Sequence, residues 1–276
     1  MPQIFNTLQE WQAIALVVGL TVLLGWESIR PFFAYAQDRK ARGVHVIRNL
    51  VLGGINALAV TALFAGSWVV AAEWAAANNF GLMNRLAGGT DFAVVHAVGA
   101  ILLLDAWMYL WHRMNHRIPF LWRFHRVHHA DRTMDVSTAS RFHLGEIVFS
   151  SILRVPLIVL LGVYAWELLL YELMMFSVVQ FHHANIAIPA RLDRFLRWFI
   201  VTPFMHKVHH SRIRDETDSN YSSLLSVWDR IARTYRRRDD PHEIEFGLDE
   251  FADEKETFVG LMGRPFRKPR QRSLTK

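Results

Sequence analysis

Hydrophobic residues fall into four long runs, and polar segments richer in Arg, Asp and Asn separate them. A helix needs about 20 residues to cross a hydrocarbon core that is ~30 Å thick, and each run reaches that length. The last run is long enough for two crossings, and the pair Leu161-Gly162 shortly before Tyr164 favours a tight reversal there. The pattern predicts an all-α, multi-pass transmembrane helical bundle. The runs cover residues 9–27, 49–75, 93–111 and 145–182.

The composition agrees with a membrane protein. Of the 276 residues, 52% are hydrophobic, and the mean hydropathy of +0.13 is high for a soluble chain of this length. The chain has no cysteine, which excludes disulfides, cysteine-ligated zinc, a haem thiolate and an iron–sulfur cluster bound by this chain. Any metal must therefore bind to nitrogen or oxygen ligands.

Basic residues are distributed unequally among the loops. Five lie between the first two runs, whereas the loop at 76–92 has only Arg85. The positive-inside bias predicts that the first loop is cytoplasmic, and alternation then places residues 112–141 and the C-terminus on the same side. The five residues are Arg30, Arg39, Lys40, Arg42 and Arg48.

The formal net charge is +6, and the excess lies largely outside the apolar runs. Since a basic surface beside a bilayer attracts anionic lipid, the charge indicates a membrane surface and no nucleic acid. The first run has no basic stretch before it and no small-residue cleavage pattern after it, so we expect a retained anchor and not a signal peptide. We predict an integral membrane protein, in the inner membrane of a bacterial cell or the endoplasmic reticulum of a eukaryotic one.

Three regions follow from these patterns. Residues 1–92 would hold the N-terminal transmembrane helices and a cytoplasmic loop, and residues 93–240 would form a second domain. Within that domain, residues 192–201 and 223–236 have amphipathic or helix-like patterns, which predict a cytoplasmic helical cap. Residues 241–276 are polar and basic without apolar periodicity, and we expect a disordered tail there.

The chain has 14 histidines, and most of them fall in five short clusters that the predicted topology places on one side of the membrane. On a helix, residues three and four apart share a face, so the imidazoles of an HxxxH or HxxHH sequence can converge from one element. The clusters are HxxxH at His112 and His116, HxxHH at His125, His128 and His129, a lone His143, the pair His182-His183, and a second HxxHH at His206, His209 and His210.

The number of clustered histidines indicates more than one metal ion. Eight or more convergent imidazoles exceed the three or four that a mononuclear site uses, so the cap would carry a histidine-rich di-metal site. Imidazole binds zinc, copper, iron and nickel, and ligand type alone does not choose among them. His45, His96 and His242 lie outside the clusters, and we interpret them as ordinary surface, helix or tail residues.

In order and spacing, these clusters resemble those of the fatty acid hydroxylase/sterol desaturase superfamily, whose members carry HxxxH, HxxHH and a second HxxHH around a di-iron centre. The resemblance covers roughly residues 93–236 and includes Asn220-Tyr221 and Trp228-Asp229-Arg230. It implies that residues 93–240 are a fatty acid hydroxylase-like catalytic domain. The implied metal ligands are His112, His116, His125, His128, His129, His206, His209 and His210, with His183 as a ninth and His143 as a tenth, although relatives usually have proline where this chain has Leu144.

Histidines that bind a metal normally donate their second ring N–H to a carboxylate or carbonyl, which fixes the tautomer. Asp105 lies two helical turns before His112 on roughly the same face, and an ionisable residue inside a membrane helix is costly enough to indicate a role. For Glu146 and Asp229, a helix cap or a surface ion pair is the alternative. We expect supporting contacts from Asp105, Glu146, His182, Asn185 and Asp229.

The resemblance implies an oxidoreductase that hydroxylates or desaturates a lipid, with two iron ions as cofactor and O2 as co-substrate. The lipid, which would be a sterol, a fatty acyl chain or another isoprenoid, would enter from the bilayer. We find no sequence element for haem, flavin or an iron–sulfur cluster, so electrons would come from an external donor of the ferredoxin or cytochrome type. The basic face at Arg123, Arg126 and Arg132 is predicted to bind that acidic donor.

Two other classes of protein are alternatives. A histidine-rich membrane metal-handling or transport protein would place its site near the bilayer midplane with acidic residues along a path, whereas these clusters lie at helix ends and beyond. A zinc-dependent membrane hydrolase would need an open metal position and a general-base carboxylate, and the chain contains no HExxH sequence.

Overall fold

The computed structural model describes residues 2–35, 38–251 and 256–268, and its regular elements are helices. Among these residues, β-pairing is limited to isolated bridges, which confirms the predicted all-α class. The α-helices are α1 (Pro2–Ile29), α2 (Arg39–Val60), α3 (Gly66–Ala77), α4 (Leu82–Ala87), α5 (Ala93–Arg117), α6 (Pro119–His129), α7 (Leu144–Leu161), α8 (Ala165–His183), α9 (Ala190–Leu196), α10 (Pro203–His209), α11 (Arg214–Thr217), α12 (Val227–Ile231) and α13 (Phe258–Gly263).

Four helical stretches are long and apolar enough to cross a membrane. Large apolar side chains such as Val17, Leu58 and Val94 are exposed on them, which in a protein of this kind is the surface that meets lipid. Each stretch covers or overlaps one of the four predicted runs. Their composition is that of an integral membrane protein. They are Asn6–Ile29, Arg39–Ala87, Ala93–Arg117 and Leu144–Leu161.

The last apolar run is divided in two at the predicted place. Gly162 follows α7 with a φ of 69°, a left-handed conformation that glycine adopts at little cost. α8 begins after Tyr164, whose backbone N–H donates to the Glu167 carboxylate at 2.9 Å. The chain therefore reverses here, although α8 itself is not among the four stretches named above.

α2 begins at Arg39, well before the apolar run that predicted it. Asp38 caps the helix by accepting the N–H of Ala41 at 2.6 Å. The early turns bury polar residues, and Asn49 donates to Ser137 Oγ at 3.0 Å. α2 also continues through a π-helical segment into α3, so the combined helix exceeds one crossing of a ~30 Å core and reaches into the polar cap.

The main apolar core lies between α3, α5, α7 and α8, and includes Trp68, Leu104, Ile158 and Tyr171. α5 and α8 pack against each other within this core. Because both helices run toward the cap, their C-terminal ends, which carry histidines, lie side by side.

The described part of the C-terminal region packs against the cap, which corrects the expectation of a disordered tail at 241–276. Phe246 lies in one apolar cluster with Met134, and Leu261 lies in another with Val127. The apolar residues here form only short stretches among charged ones, yet they fill sites in the cap. Residues 252–255 and 269–276 lie outside the described residues.

Arg126 is buried beneath this region, which corrects its assignment to an exposed basic face. Its guanidinium donates to the carbonyl oxygens of Arg264 at 2.7 Å and Arg267 at 2.9 Å. The sequence contains no signal that the chain folds back over α6 at this point. Arg123 and Arg132 are exposed, as predicted.

Candidate metal centre

Nine buried histidines converge where α5, α6, α8 and α10 meet, and we call this set the histidine centre. α6 begins at Pro119 and α10 begins at Pro203, in the first turn where proline is favoured. Thr202 also caps α10. These starts fix both short helices so that their histidines face inward. The nine are His112, His116, His125, His128, His129, His183, His206, His209 and His210.

The histidine centre divides into two groups, and within each group one nitrogen of every residue lies within 4.8 Å of the others. The first HxxHH box gives its outer two histidines to group one and its middle histidine to group two, and the second box does the reverse. Residues at i and i+4 therefore serve one group while the residue at i+3 serves the other. Group one is His112, His116, His125, His129 and His209, and group two is His128, His183, His206 and His210.

The Nε2 atoms of each group contact one another in series. His112 Nε2 lies 3.0 Å from that of His209 and 3.1 Å from that of His125, and His183 Nε2 lies 3.1 Å from two neighbours in group two. An imidazole nitrogen has either one proton or one lone pair, so it satisfies at most one of two such contacts as a hydrogen bond. A cation inside each group would satisfy all of them, so the donor set fits two metal ions.

The second ring nitrogens of several histidines are held by acceptors. His125 Nδ1 donates to Glu146 Oε1 at 2.9 Å. A donated Nδ1–H leaves the Nε2 lone pair directed into the group, which is the state that binds a metal. Backbone carbonyl oxygens accept the Nδ1–H of three further histidines. The acceptor is Tyr221 for His112 at 2.7 Å, Val179 for His183 at 2.8 Å and Ser219 for His209 at 2.6 Å.

Burial disfavours the charged form of four histidines in α6 and at α10, which are His129, His206, His209 and His210. It lowers the pKa of His209 to about 3. Burial and the neighbouring histidines lower the pKa of His129, His206 and His210 well below the usual value. Because neutral imidazole is the form that binds a metal, these side chains are in the binding form at neutral pH.

Two of the five predicted supporting residues connect to the histidines. Glu146 does so directly, through His125. Asp229 lies one step further out, because it accepts the backbone N–H of Tyr221 at 2.8 Å and so holds the carbonyl that His112 contacts.

Asp105 and Asn185 are buried, but their hydrogen bonds go elsewhere. Asp105 accepts Trp228 Nε1 at 2.7 Å and the Leu225 N–H at 3.0 Å, so it fastens the cap to α5. Asn185 exchanges two hydrogen bonds with the backbone of Phe33 and joins the segments that follow α1 and α8.

His143 and His182 lie outside both groups. His143 caps α7, since its Nδ1 accepts the Gly145 N–H at 2.9 Å, and its Nε2 donates to the Met262 carbonyl at 3.1 Å. Both of its nitrogens are thus engaged away from the histidine centre. His182 is buried with its ring 3.9 Å from that of His206, and it lines the cavity described next.

Two adjoining cavities lie beside the histidine centre. The narrow cavity, of about 130 Å³, borders His112, His128 and His183. The wide cavity, of about 480 Å³, lies between α1, α2, α7 and α8. Phe142 lines both cavities, and its ring stacks on that of His128 at 4.3 Å. The two cavities therefore form a route from the apolar helices to the histidines.

Sequence reasoning missed the backbone acceptors, because a carbonyl group has no sequence signature. It also treated His45 as ordinary, whereas His45, Asp131 and Glu256 form a third group with ligand spacing. Arg48 and Arg141 each contact Glu256 at 2.8 Å. These arginines already supply the positive charge that the carboxylates need, so this third group does not fit a metal ion.

A model of the fatty acid hydroxylase family matches residues 97–234, which contain the whole histidine centre. Alkylglycerol monooxygenase from Homo sapiens is 32% identical over 154 residues, which cover 54% of this chain and 32% of that protein. Ornithine lipid hydroxylase OlsE from Rhizobium tropici is 23% identical over 278 residues, which cover 96% of this chain and 79% of that protein.

Cholesterol 25-hydroxylase from Homo sapiens is 24% identical over 144 residues, and the match covers 51% of each chain. The chain thus spans about a third of the length of the human alkylglycerol monooxygenase and about half of this hydroxylase. No solved structure matches the chain.

Proposed function

Because the chain belongs to the fatty acid hydroxylase family, we propose that it is a membrane-bound di-iron oxygenase that hydroxylates a lipid with O2 and external electrons. The observation that carries this proposal is the division of nine buried histidines into two groups of facing nitrogens. The relatives are named as a monooxygenase and hydroxylases, and all three names contain a lipid. These names favour hydroxylation over desaturation.

The spacing of the nitrogens favours iron over tetrahedral zinc. Two nitrogens bound ~2.1 Å from one ion lie ~3.0 Å apart at a right angle and ~3.4 Å apart at the tetrahedral angle. The Nε2 atoms that contact each other directly are 3.0 to 3.1 Å apart, which fits the right angles of five- and six-coordinate ions. When bound, two iron ions would supply the dioxygen chemistry that side chains cannot.

The chain's own residues would position the lipid and exclude water. Trp111, Met175 and Val179 line the narrow cavity together with the histidines, so an apolar segment of the lipid fits beside both groups. Phe142 covers His128 at the junction of the cavities. A lipid that enters from the bilayer along the wide cavity would therefore reach the histidine centre through apolar surroundings.

The metal-handling alternative fits the structure less well. A transport site must release its ion, whereas these histidines are buried and several are locked in one tautomer by Glu146 and by backbone carbonyls. Such locking favours a resident metal.

We also propose that the histidine centre faces the cytoplasm, since the basic loops lie at that end. The electron donor would be an acidic ferredoxin or cytochrome. Trp122 would contact the donor, because its ring lies 5.1 Å from that of His116 and 5.5 Å from that of His129. The guanidinium of Arg214 lies 5.2 Å from the Trp122 ring and, with exposed Arg123, gives this surface the charge that attracts an acidic partner.

Lipid analysis of cells with and without the chain tests the activity. Expression under isotopically labelled O2 should produce a lipid with one added labelled oxygen atom. His206→Ala should abolish that product, whereas His242→Ala, which changes an exposed histidine outside both groups, should keep it. An unchanged lipid profile from iron-loaded protein supplied with a reductant would contradict the proposal.

A further inference from the structure

An ion pair lies in the wall where the two cavities adjoin. Arg154 lines both cavities, and Glu172 lines the wide one. The two side chains pair directly between α7 and α8. Arg154 lies within Leu144–Leu161, one of the stretches apolar enough to cross a membrane, where a charged residue is costly and indicates a function.

Packing alone does not explain this pair. A buried ion pair can usually be replaced by apolar residues of similar volume without loss of stability. Here Arg154 and Glu172 also remain 11% and 15% exposed, and both line the wide cavity. The Arg154 guanidinium lies 4.6 Å from the ring of Trp68, which holds one side of it in place. The pair is thus a fixed polar site in a mostly apolar wall.

The charge of the pair defines what it can bind. A guanidinium has five N–H donors, and Glu172 occupies only part of them. Since the two charges cancel, an anion would have to compete with Glu172 and a cation with Arg154. An uncharged group that accepts or donates hydrogen bonds, such as a hydroxyl, ester or amide, competes with neither charged side chain.

The position of the pair sets a distance from the histidines. Arg154 lies eight residues after Glu146 on α7, which corresponds to ~12 Å along a helix, and Glu146 holds His125. The Arg154 side chain also lines the narrow cavity together with the histidines, so a lipid whose polar group lies at Arg154 would place a carbon less than ~12 Å away beside the histidine centre.

We propose that the Arg154–Glu172 pair binds an uncharged polar group of the lipid substrate and so selects which carbon reaches the histidine centre; this inference rests on the proposed lipid hydroxylation. The pair is a positioning element, because it does not contact the histidines.

Binding of three chain-matched probes tests the proposal without turnover. The probes are 1-dodecanol, dodecane and dodecanoate, measured by equilibrium binding to the full-length, iron-loaded protein in phosphatidylcholine nanodiscs, with empty nanodiscs subtracted. We expect 1-dodecanol to bind about tenfold more tightly than dodecane, a difference typical of one hydrogen-bonded polar group, and dodecanoate to gain no such advantage.

Two substitutions separate recognition from folding. Arg154→Met should abolish the advantage of 1-dodecanol over dodecane. Glu172→Gln keeps the volume but leaves an unneutralised arginine, so dodecanoate should become the tightest of the three probes. Ser177→Ala removes a polar group of α8 that lines neither cavity and should change neither preference.

Equal binding of 1-dodecanol and dodecane by the unmodified protein would overturn the proposal, as would a Glu172→Gln protein that keeps the original order of probes. The assay requires no product, so it separates this inference from the proposed activity. Selective binding without an oxygenated lipid would count against the activity alone, and turnover without selective binding would count against the pair alone.

Discussion

Two buried polar regions of this protein are built in opposite ways. The first, which we call the arginine network, consists of His45, Asp131, Asp135, Arg141 and Glu256, and it sets positive groups against negative ones. The second, the histidine centre, brings together neutral donor atoms of one kind. The arginine network is satisfied by its own residues, whereas the histidine centre needs cations to satisfy its facing nitrogens.

The two regions meet at α6. Arg141 Nε donates to the Val127 carbonyl oxygen at 3.0 Å, and Val127 directly precedes His128. Burial alone would raise the pKa of Asp131, but His45 and Arg141 lower it to about 2. Asp131 is therefore charged at neutral pH. The arginine network holds the helix that serves both groups, but it contributes no donor atom to either group.

The largest effect is expected from removing one histidine of either group. His112→Ala for group one, or His206→Ala for group two, should reduce product formation by more than about 100-fold, since changes to residues that only support ligands already cost 10 to 100-fold. Unfolding of the metal-free protein should change far less. Turnover assays and metal content of the purified variants measure this.

His242→Ala is the matched control, because it removes an imidazole outside both groups. If the control lost as much metal as His206→Ala, or if His206→Ala kept both metals and full turnover, the division into two groups would be wrong.

The next effect concerns the arginine network. Arg141→Met removes the fully buried partner of Glu256 while Arg48 and His45 keep their pairs with the carboxylates, and it should lower the free energy of unfolding by about 3 kcal/mol. The loss should be the same with and without iron, because Arg141 contacts no histidine of the centre. Denaturant unfolding followed by tryptophan fluorescence in a fixed detergent measures it.

Arg237→Met is the comparison for this variant, since Arg237 forms an exposed pair with Asp239. That change should lower stability by less than about 1 kcal/mol. Equal losses in the two variants would show that burial of Arg141 contributes nothing.

The sequence predicted the histidine centre better than the arginine network, and the reason is physical. Local helix spacing predicted that the histidines of each box lie close together, and the family resemblance implied which of them are ligands, His183 included. The arginine network joins residues far apart in the chain, such as Arg141 and Glu256, and nothing in local spacing predicts such a pairing. Arg126 was misjudged for the same reason.

The fold shows the same division. Apolar runs predicted the membrane helices and the reversal at Gly162, because both depend on local composition. The cap was only outlined, since Phe246 and Leu261 lie in short apolar stretches whose burial depends on distant partners. Asp105 was placed on the correct face but contacts Trp228 and not a histidine.

A smaller effect, on iron affinity, should distinguish the roles of two carboxylates inside the bundle. Glu146→Gln weakens the acceptor of His125 Nδ1 and should lower iron affinity by about 10-fold or more. Asp105→Asn disturbs the attachment of Trp228 and should change stability but not iron affinity. Competition for iron with a chelator of known affinity distinguishes them, and equal affinities of the two variants would remove Glu146 from its proposed role.

The smallest effect per residue is on pH dependence. Unfolded histidines gain protons below pH ~6.5, whereas the lowered pKa values keep His129, His209 and His210 uncharged in the folded state. The unfolded state therefore binds more protons, and the metal-free protein should lose up to about 1.4 kcal/mol per histidine for each pH unit below 6.5. Denaturant unfolding at about pH 7.5 and about pH 5.5 measures this loss of stability. Coinciding unfolding curves at the two pH values would contradict the prediction.

We propose that the histidine centre holds two iron ions, one in each group. The decisive measurement is metal analysis of protein purified without oxygen, combined with Mössbauer spectroscopy of the iron-enriched sample. We expect two irons per chain in the unmodified protein and a loss of iron in both His112→Ala and His206→Ala. A chain that holds zinc alone, or a single iron that survives either substitution, would contradict it.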